Sequence, residues 1–243
     1  MKPRLVTVAH GTRDAAGPVT TSALVRRVRR RLPNVDVAES YVELVEPDLG
    51  SVLERSEGPS VVVPLLLSTG YHMSKDIPET ARRSRHPVTL APALGPHPLL
   101  AAATAMNLRA AGARRDDAVV LVAAGSSDPA ASVDTYLAGR LLQAHWGAPV
   151  QVAHLTGQGL GFAEALASLR AEGQRRVVAA PYLLAPGHFA DKARRTAEGH
   201  GVHTVADVLG AHPLVAELVV RRYLVAMRAA RPGASVRRAS RVA

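Results

Sequence analysis

The stretch "VVVPLLLSTGYHMSK", residues 61–75, opens as an unbroken apolar run and closes on a Gly, a His and a Lys; it returns without gaps as "VAAPYLLAPGHFADK", residues 178–192. Two further matches keep the same order. "LVTVAHGTRD" (5–14) returns as "VVLVAAGSSD" (119–128), and "LGPHPLL" (94–100) returns as "LGAHPLV" (209–215). Each copy follows its original by about 115 residues, and a spacing held over three segments marks a duplicated unit. The seam falls at "AGARRDD" (111–117), a short polar connector.

Within each copy, strand-like and helix-like patterns alternate. The first copy predicts strands at 5–9, 35–42, 60–67 and 88–91, with helices at 18–31, 47–55, 77–84 and 98–111. Val and Leu on successive residues suit parallel strands covered on both faces. Pro18 suits the start of a helix, where its missing N–H costs little, and Leu24, Val28 and Leu32 give that helix one apolar face. The second copy predicts strands near 119–123, 150–155, 176–183 and 202–206, and a long helix at 213–228. Such alternation gives a parallel sheet with right-handed crossovers. The expected fold is α/β: two tandem similar domains, 1–115 and 116–228, each a central parallel β-sheet flanked by helices. A basic tail, 229–243, lacks apolar periodicity and is expected to be disordered.

The 243 residues include no Cys, which excludes disulfides, thiolate metal sites and cysteine nucleophiles. Any metal chemistry must therefore use His, Asp or Glu. The formal charge of +10 points to an anionic partner. With 3% aromatic residues there is no base-stacking platform, so a small anionic ligand is expected and nucleic acid is not. The longest apolar run, 61–67, is too short to span a bilayer, and the N-terminus passes directly into a strand-like segment; a soluble cytoplasmic protein is expected.

A duplicated chain carries its own control: features in both copies serve the fold, and features in one serve something local. His97 and His212 belong to the shared set, each inside L-G-x-H-P-L, and read as turn-stabilising residues before a Pro-led helix. Lys75 and Lys192 also correspond, and are either anion contacts near helix starts or plain surface residues. The unshared set is His10, opposite Ala124; His72, opposite Phe189; and Glu43, opposite roughly His154. All three lie at or beyond the C-terminal ends of predicted parallel strands, the edge where open α/β sheets place ligands. Two imidazoles and a carboxylate there suit a divalent-metal or acid–base site with coordination positions left open.

"VAHGTRD", "YVELVEP", "PLLLSTGYHMSKDIP" and "LGPHPLL" together resemble the sirohydrochlorin chelatase family, the class II chelatases that insert cobalt or ferrous iron into sirohydrochlorin for cobalamin or siroheme synthesis. The resemblance spans nearly the whole chain, as in the family's long two-domain members. It implies a tetrapyrrole in the cleft between two α/β halves, with His10 and His72 handling the metal and Glu43 as their acidic partner. The divalent ion is then a substrate, and no tightly bound cofactor is expected. It also implies a monomer with an internal pseudo-dimer, the second half supplying the wall that short members obtain from a second subunit. Thr12, Arg13, Ser68, Thr69, Gly70, Lys75, Ser126 and Ser127, near the strand ends, are candidates to grip the substrate's carboxylates. His154 and His188 depart from the first-copy pattern, either as a secondary metal contact or as ordinary residues. Two rivals stand beside this reading. One is a non-catalytic metal or tetrapyrrole carrier of the same fold. The other is a histidine phosphatase, although such enzymes place an Arg directly before the His-Gly, where this chain has Ala9.

Overall fold

The apolar run that begins each copy becomes the central strand of a sheet in the computed structural model, which describes residues 2–229. In the first copy β1 (Arg4–Ala9) lies between β2 (Val37–Tyr41) and β3 (Ser60–Pro64), and β4 (Val88–Leu90) adds to β3; all pairs are parallel. In the second, β5 (Ala118–Ala123) lies between β6 (Val150–His154) and β7 (Val177–Pro181), again parallel. Every residue of β5 and of β3 is buried, which is why neither alternates polar with apolar.

The fourth strand expected at 202–206 is reduced to a single bridge between Ala179 and Val205. The preceding helix explains the loss. Gly201 adopts a left-handed φ of 77° and the Val202 N–H bonds back to the Ala197 carbonyl, so the chain is still closing that helix at 202. It reaches β7 only at Thr204, whose carbonyl accepts from Ala179 N–H.

Among the described residues eight α-helices cover the sheets: α1 (Ala16–Arg31), α2 (Leu49–Glu54), α3 (Ile77–Arg82), α4 (Pro98–Ala110), α5 (Pro129–Trp146), α6 (Phe162–Ala171), α7 (His188–Gly199) and α8 (Pro213–Ala229). A π-helical turn, His72–Asp76, leads into α3. The expected His caps form as mirrored pairs: His97 Nδ1 accepts from Leu99 N–H at 3.1 Å, and His212 Nδ1 accepts from Leu214 N–H at 3.1 Å. From residue 230 onward the predicted basic tail lies outside the described residues.

The last helix of each copy packs on the other copy. α8 lies against α1 and β3 of the first sheet, and the Tyr223 hydroxyl donates to the Pro3 carbonyl at 2.7 Å. α4 lies against α5 and β7 of the second, and Asn107 Nδ2 donates to the Val208 carbonyl at 2.8 Å. One apolar core therefore runs through both copies, joining Leu5, Val61 and Leu100 to Leu121, Trp146 and Tyr223. Smaller clusters lie under α2 and α3 on one outer face, and under α6 and α7 on the other. No helix among the described residues is long and apolar enough to cross a membrane.

Candidate functional site

The loops that leave the strand ends are stitched together by one device used twice. Gly11 follows β1 with φ 100°, and a Cβ there would lie 1.9 Å from the Glu43 carbonyl oxygen. Glu43 N–H donates to the His10 carbonyl at 3.1 Å, so the close approach sets His10 beside Glu43. In the second copy Gly125 has φ 91°, its Cβ would lie 1.8 Å from the Thr156 carbonyl oxygen, and Thr156 N–H donates to the Ala124 carbonyl at 3.0 Å. The structural counterpart of Glu43 is thus Thr156. The sequence pairing of Glu43 with His154 was two residues out of step: Ala123 sits opposite His154 in register, as Ala9 sits opposite Tyr41.

His72 enters from the third loop. Its Nδ1 lies 2.6 Å from Asp76 Oδ2, a pair one turn apart. A carboxylate only accepts, so Nδ1 carries the hydrogen, and in the neutral ring Nε2 is the nitrogen with the lone pair. The His10 and His72 ring centroids are 4.7 Å apart, tilted by 47°, and His10 Nε2 lies 3.6 Å from Glu43 Oε1. One donor atom from each of His10, Glu43 and His72 falls within 4.8 Å of the others. Partial burial, then the neighbouring His72, push the His10 pKa below the usual imidazole range; Glu43 pulls it back up in part. His10 and Glu43 are each about half exposed, at 49% and 48%, so the group is open on one side.

The three donors face a cleft of about 1050 Å³ lined by both copies. The first copy contributes His10, Thr12, Arg13, Glu43, Ser68, Thr69, Gly70 and His72, and the second contributes Ser126, Thr135, His154, Tyr182 and His188. Two of the predicted substrate contacts do not line it. Lys75 is exposed on the π-helical turn, whose larger number of residues per turn rotates it off the face that carries His72 and Asp76. Ser127 is exposed on the turn into α5. Thr12 and Ser126 line the cleft but also hold their own turns, accepting from Asp14 N–H at 3.2 Å and from Asp128 N–H at 3.0 Å. Each also faces a glycine of the other copy, Thr12 toward Gly187 and Ser126 toward Gly70.

On the far wall His154 is buried, with Nε2 2.9 Å from Thr135 Oγ1 and no partner for Nδ1. Thr135 already donates to the Ser132 carbonyl at 2.9 Å, so His154 Nε2 is the donor to Thr135 and the ring is neutral. Burial lowers its pKa. Neither His154 nor His188 joins a group of three ligands among the described residues.

Sequence reasoning missed two groups of contacts. Asp76 carried a legible signal in its i,i+4 spacing from His72. The far-wall contacts to the His72 loop carried none: Tyr182 O–H donates to the Leu67 carbonyl at 3.2 Å, and Asp134 Oδ2 accepts from both Thr69 N–H and Thr69 Oγ1, each at 2.6 Å.

Comparison with known proteins identifies the family. A family model described as CbiX matches residues 4–111 and again 118–226. The sirohydrochlorin ferrochelatase of Bacillus subtilis (strain 168) is 28% identical over 240 residues, covering 91% of each chain. The sirohydrochlorin cobaltochelatase of Methanosarcina barkeri is 28% identical over 78 residues, 30% of this chain and 60% of that one. Among solved structures, SirB from Bacillus subtilis with Fe3+ superposes with a TM-score of 0.80 at 25% identity, covering 93% of this chain and 96% of that one.

Proposed function

The chain belongs to the CbiX family, and from that premise we propose that it is a metal chelatase that inserts ferrous iron or cobalt into sirohydrochlorin. The observation that carries the reading is the convergence of His10, Glu43 and His72 on one open edge of a cleft large enough for a tetrapyrrole.

Insertion exchanges two pyrrolic N–H protons for one divalent ion, so the site must present the ion to the ring and take up protons. Neutral imidazoles do both. His10 is held neutral near pH 7 by its partial burial and by His72 beside it. His72 keeps its Nε2 lone pair for ion or proton, and Asp76 behind it stabilises the imidazolium once a proton arrives. Glu43 adds a carboxylate to the ion's entry position. An open set of three donors binds the ion and still releases it to the macrocycle, which a closed four-ligand site resists. Arg13 at the cleft wall pairs with peripheral carboxylates, a contact that weakens with salt.

Imidazole and carboxylate ligands accept both iron and cobalt, so the donor set supports either metal, and with it either siroheme or cobalamin synthesis. The proposal extends to a cytoplasmic monomer; the far wall supplied by the chain's own second copy supports the monomeric part. The test is anaerobic insertion into sirohydrochlorin with cobalt and ferrous iron compared side by side, using substoichiometric protein. Continued turnover, read from the tetrapyrrole absorbance, is expected; arrest after one equivalent would identify a carrier instead.

A further inference from the structure

Thr69 holds two donors on one oxygen, its backbone N–H and its hydroxyl both reaching Asp134 Oδ2 at 2.6 Å. That is an arrangement suited to binding a carboxylate, since charge-assisted hydrogen bonds from two converging donors favour an anion. The carboxylate comes from α5 of the second copy, so the contact spans the cleft that Thr69 lines. The two copies show that this pair is not scaffold. Thr69 corresponds to Pro186, which has neither N–H nor hydroxyl to offer, and Asp134 corresponds to Thr20, whose hydroxyl caps the Ala16 carbonyl in its own helix. Beside Thr69 the cleft has room: a Cβ on Gly70 would find its nearest neighbour, Ser126 Oγ, 3.9 Å away. An acidic side chain held against a residue that lines a cleft for a polycarboxylate is electrostatically unfavourable unless it acts on the same donors.

We propose that Thr69 is a carboxylate-binding subsite that the chain keeps filled with its own Asp134 until a carboxylate of the substrate takes its place. This rests on the tetrapyrrole reading above. In the free protein Asp134 ties the His72 loop to the far wall. On binding, the substrate's carboxylate takes over the two Thr69 donors, and the exchange leaves neither of them unpaired. Its cost is that substrate must displace an internal competitor, so the bound Asp134 lowers apparent affinity while keeping the empty loop ordered.

The test measures two things on the full chain. Anaerobic titration with sirohydrochlorin should show Asp134→Ala binding about tenfold tighter than the parent, with Asp134→Asn in between. Adding Thr69→Val to Asp134→Ala should remove most of that gain. Unchanged or weaker binding by Asp134→Ala would overturn the inference, as would a gain that survives Thr69→Val, which would be simple charge relief. Amide exchange in the absence of substrate is the second readout. Residues 68–71 should exchange faster in Asp134→Ala than in the parent, and equal rates would overturn the clamp whatever the substrate proves to be. Faster exchange in Asp134→Ala, with a parent chain that binds no sirohydrochlorin, would support the clamp and overturn the chelatase reading.

Discussion

The two copies share a scaffold and differ in chemistry, and they differ at the tips of equivalent loops. Gly11 and Gly125 make the same left-handed approach to a carbonyl, and Asp14 and Asp128 each accept from the N–H two residues on, at 2.8 and 2.9 Å. His97 and His212 cap equivalent helices, α4 and α8. Yet the positions that hold His10, Glu43 and His72 in the first copy hold Ala124, Thr156 and Phe189 in the second. One set of loops presents donors to the cleft, and its twin presents a wall. A duplicated fold can therefore lose its chemistry from one copy without losing the geometry that once served it, because the side chains at the loop tips contribute little to the core.

The comparison breaks most visibly if the imidazoles prove structural. His10→Ala and His72→Ala should each lower insertion by at least about 100-fold with the thermal midpoint nearly unchanged. Collapse of folding in both would move these residues into the shared scaffold.

The glycines should behave in the opposite way. Gly11→Ala and Gly125→Ala each force a Cβ into a carbonyl at positive φ and should cost about 3 kcal/mol apiece, a drop of roughly 6–12 °C in the midpoint for a chain of this size. A marked difference between the two would show that the loops are not equivalent. Asp76→Asn should lower insertion by about 10–100-fold while leaving the midpoint near that of the parent, because it alters only the orientation and basicity of His72.

The smallest effects sharpen the symmetry. His97→Ala and His212→Ala should each cost about 1 kcal/mol by removing a cap. Both imidazoles have pKa values lowered by burial first, and then by Arg222 and Arg221 for His97 and Arg27 for His212. The unfolded chain, with ordinary imidazoles near 6.5, therefore binds protons first as the pH falls. Stability should decline from about pH 6.5 downward until the folded pKa values are passed, and His97→Asn with His212→Asn, which keep an acceptor but do not titrate, should flatten that decline in midpoints measured between pH 7.5 and 5.

Much of this was legible in the residues. The repeat implies two parallel sheets because unbroken Val/Leu runs have few other places to go, and the strand-end rule puts His10, Glu43 and His72 on one edge, where their donor atoms lie within 4.8 Å of one another. The failures lie where local geometry departs from regular spacing. A π-helical turn keeps Lys75 off the cleft, and no sequence period announces such a turn. The Glu43–His154 mismatch reflects the absence of sequence similarity between the segments after β2 and β6, where only the register of the strands sets the pairing. Asp134 and Tyr182 were invisible because their partners, Thr69 and Leu67, lie 65 and 115 residues away and touch them only across the cleft.

The exchange of α4 and α8 makes the two sheets obligate co-folding partners. Severing the polypeptide at Gly112 would not release two independent modules. The amino-terminal fragment would carry α4 with no β7 to cover and would lack α8 over β3; the carboxy-terminal fragment would have the converse defect. Expressed apart, the fragments should stay insoluble or unstructured; expressed together, they should reassemble by complementation, each restoring the helix the other is missing.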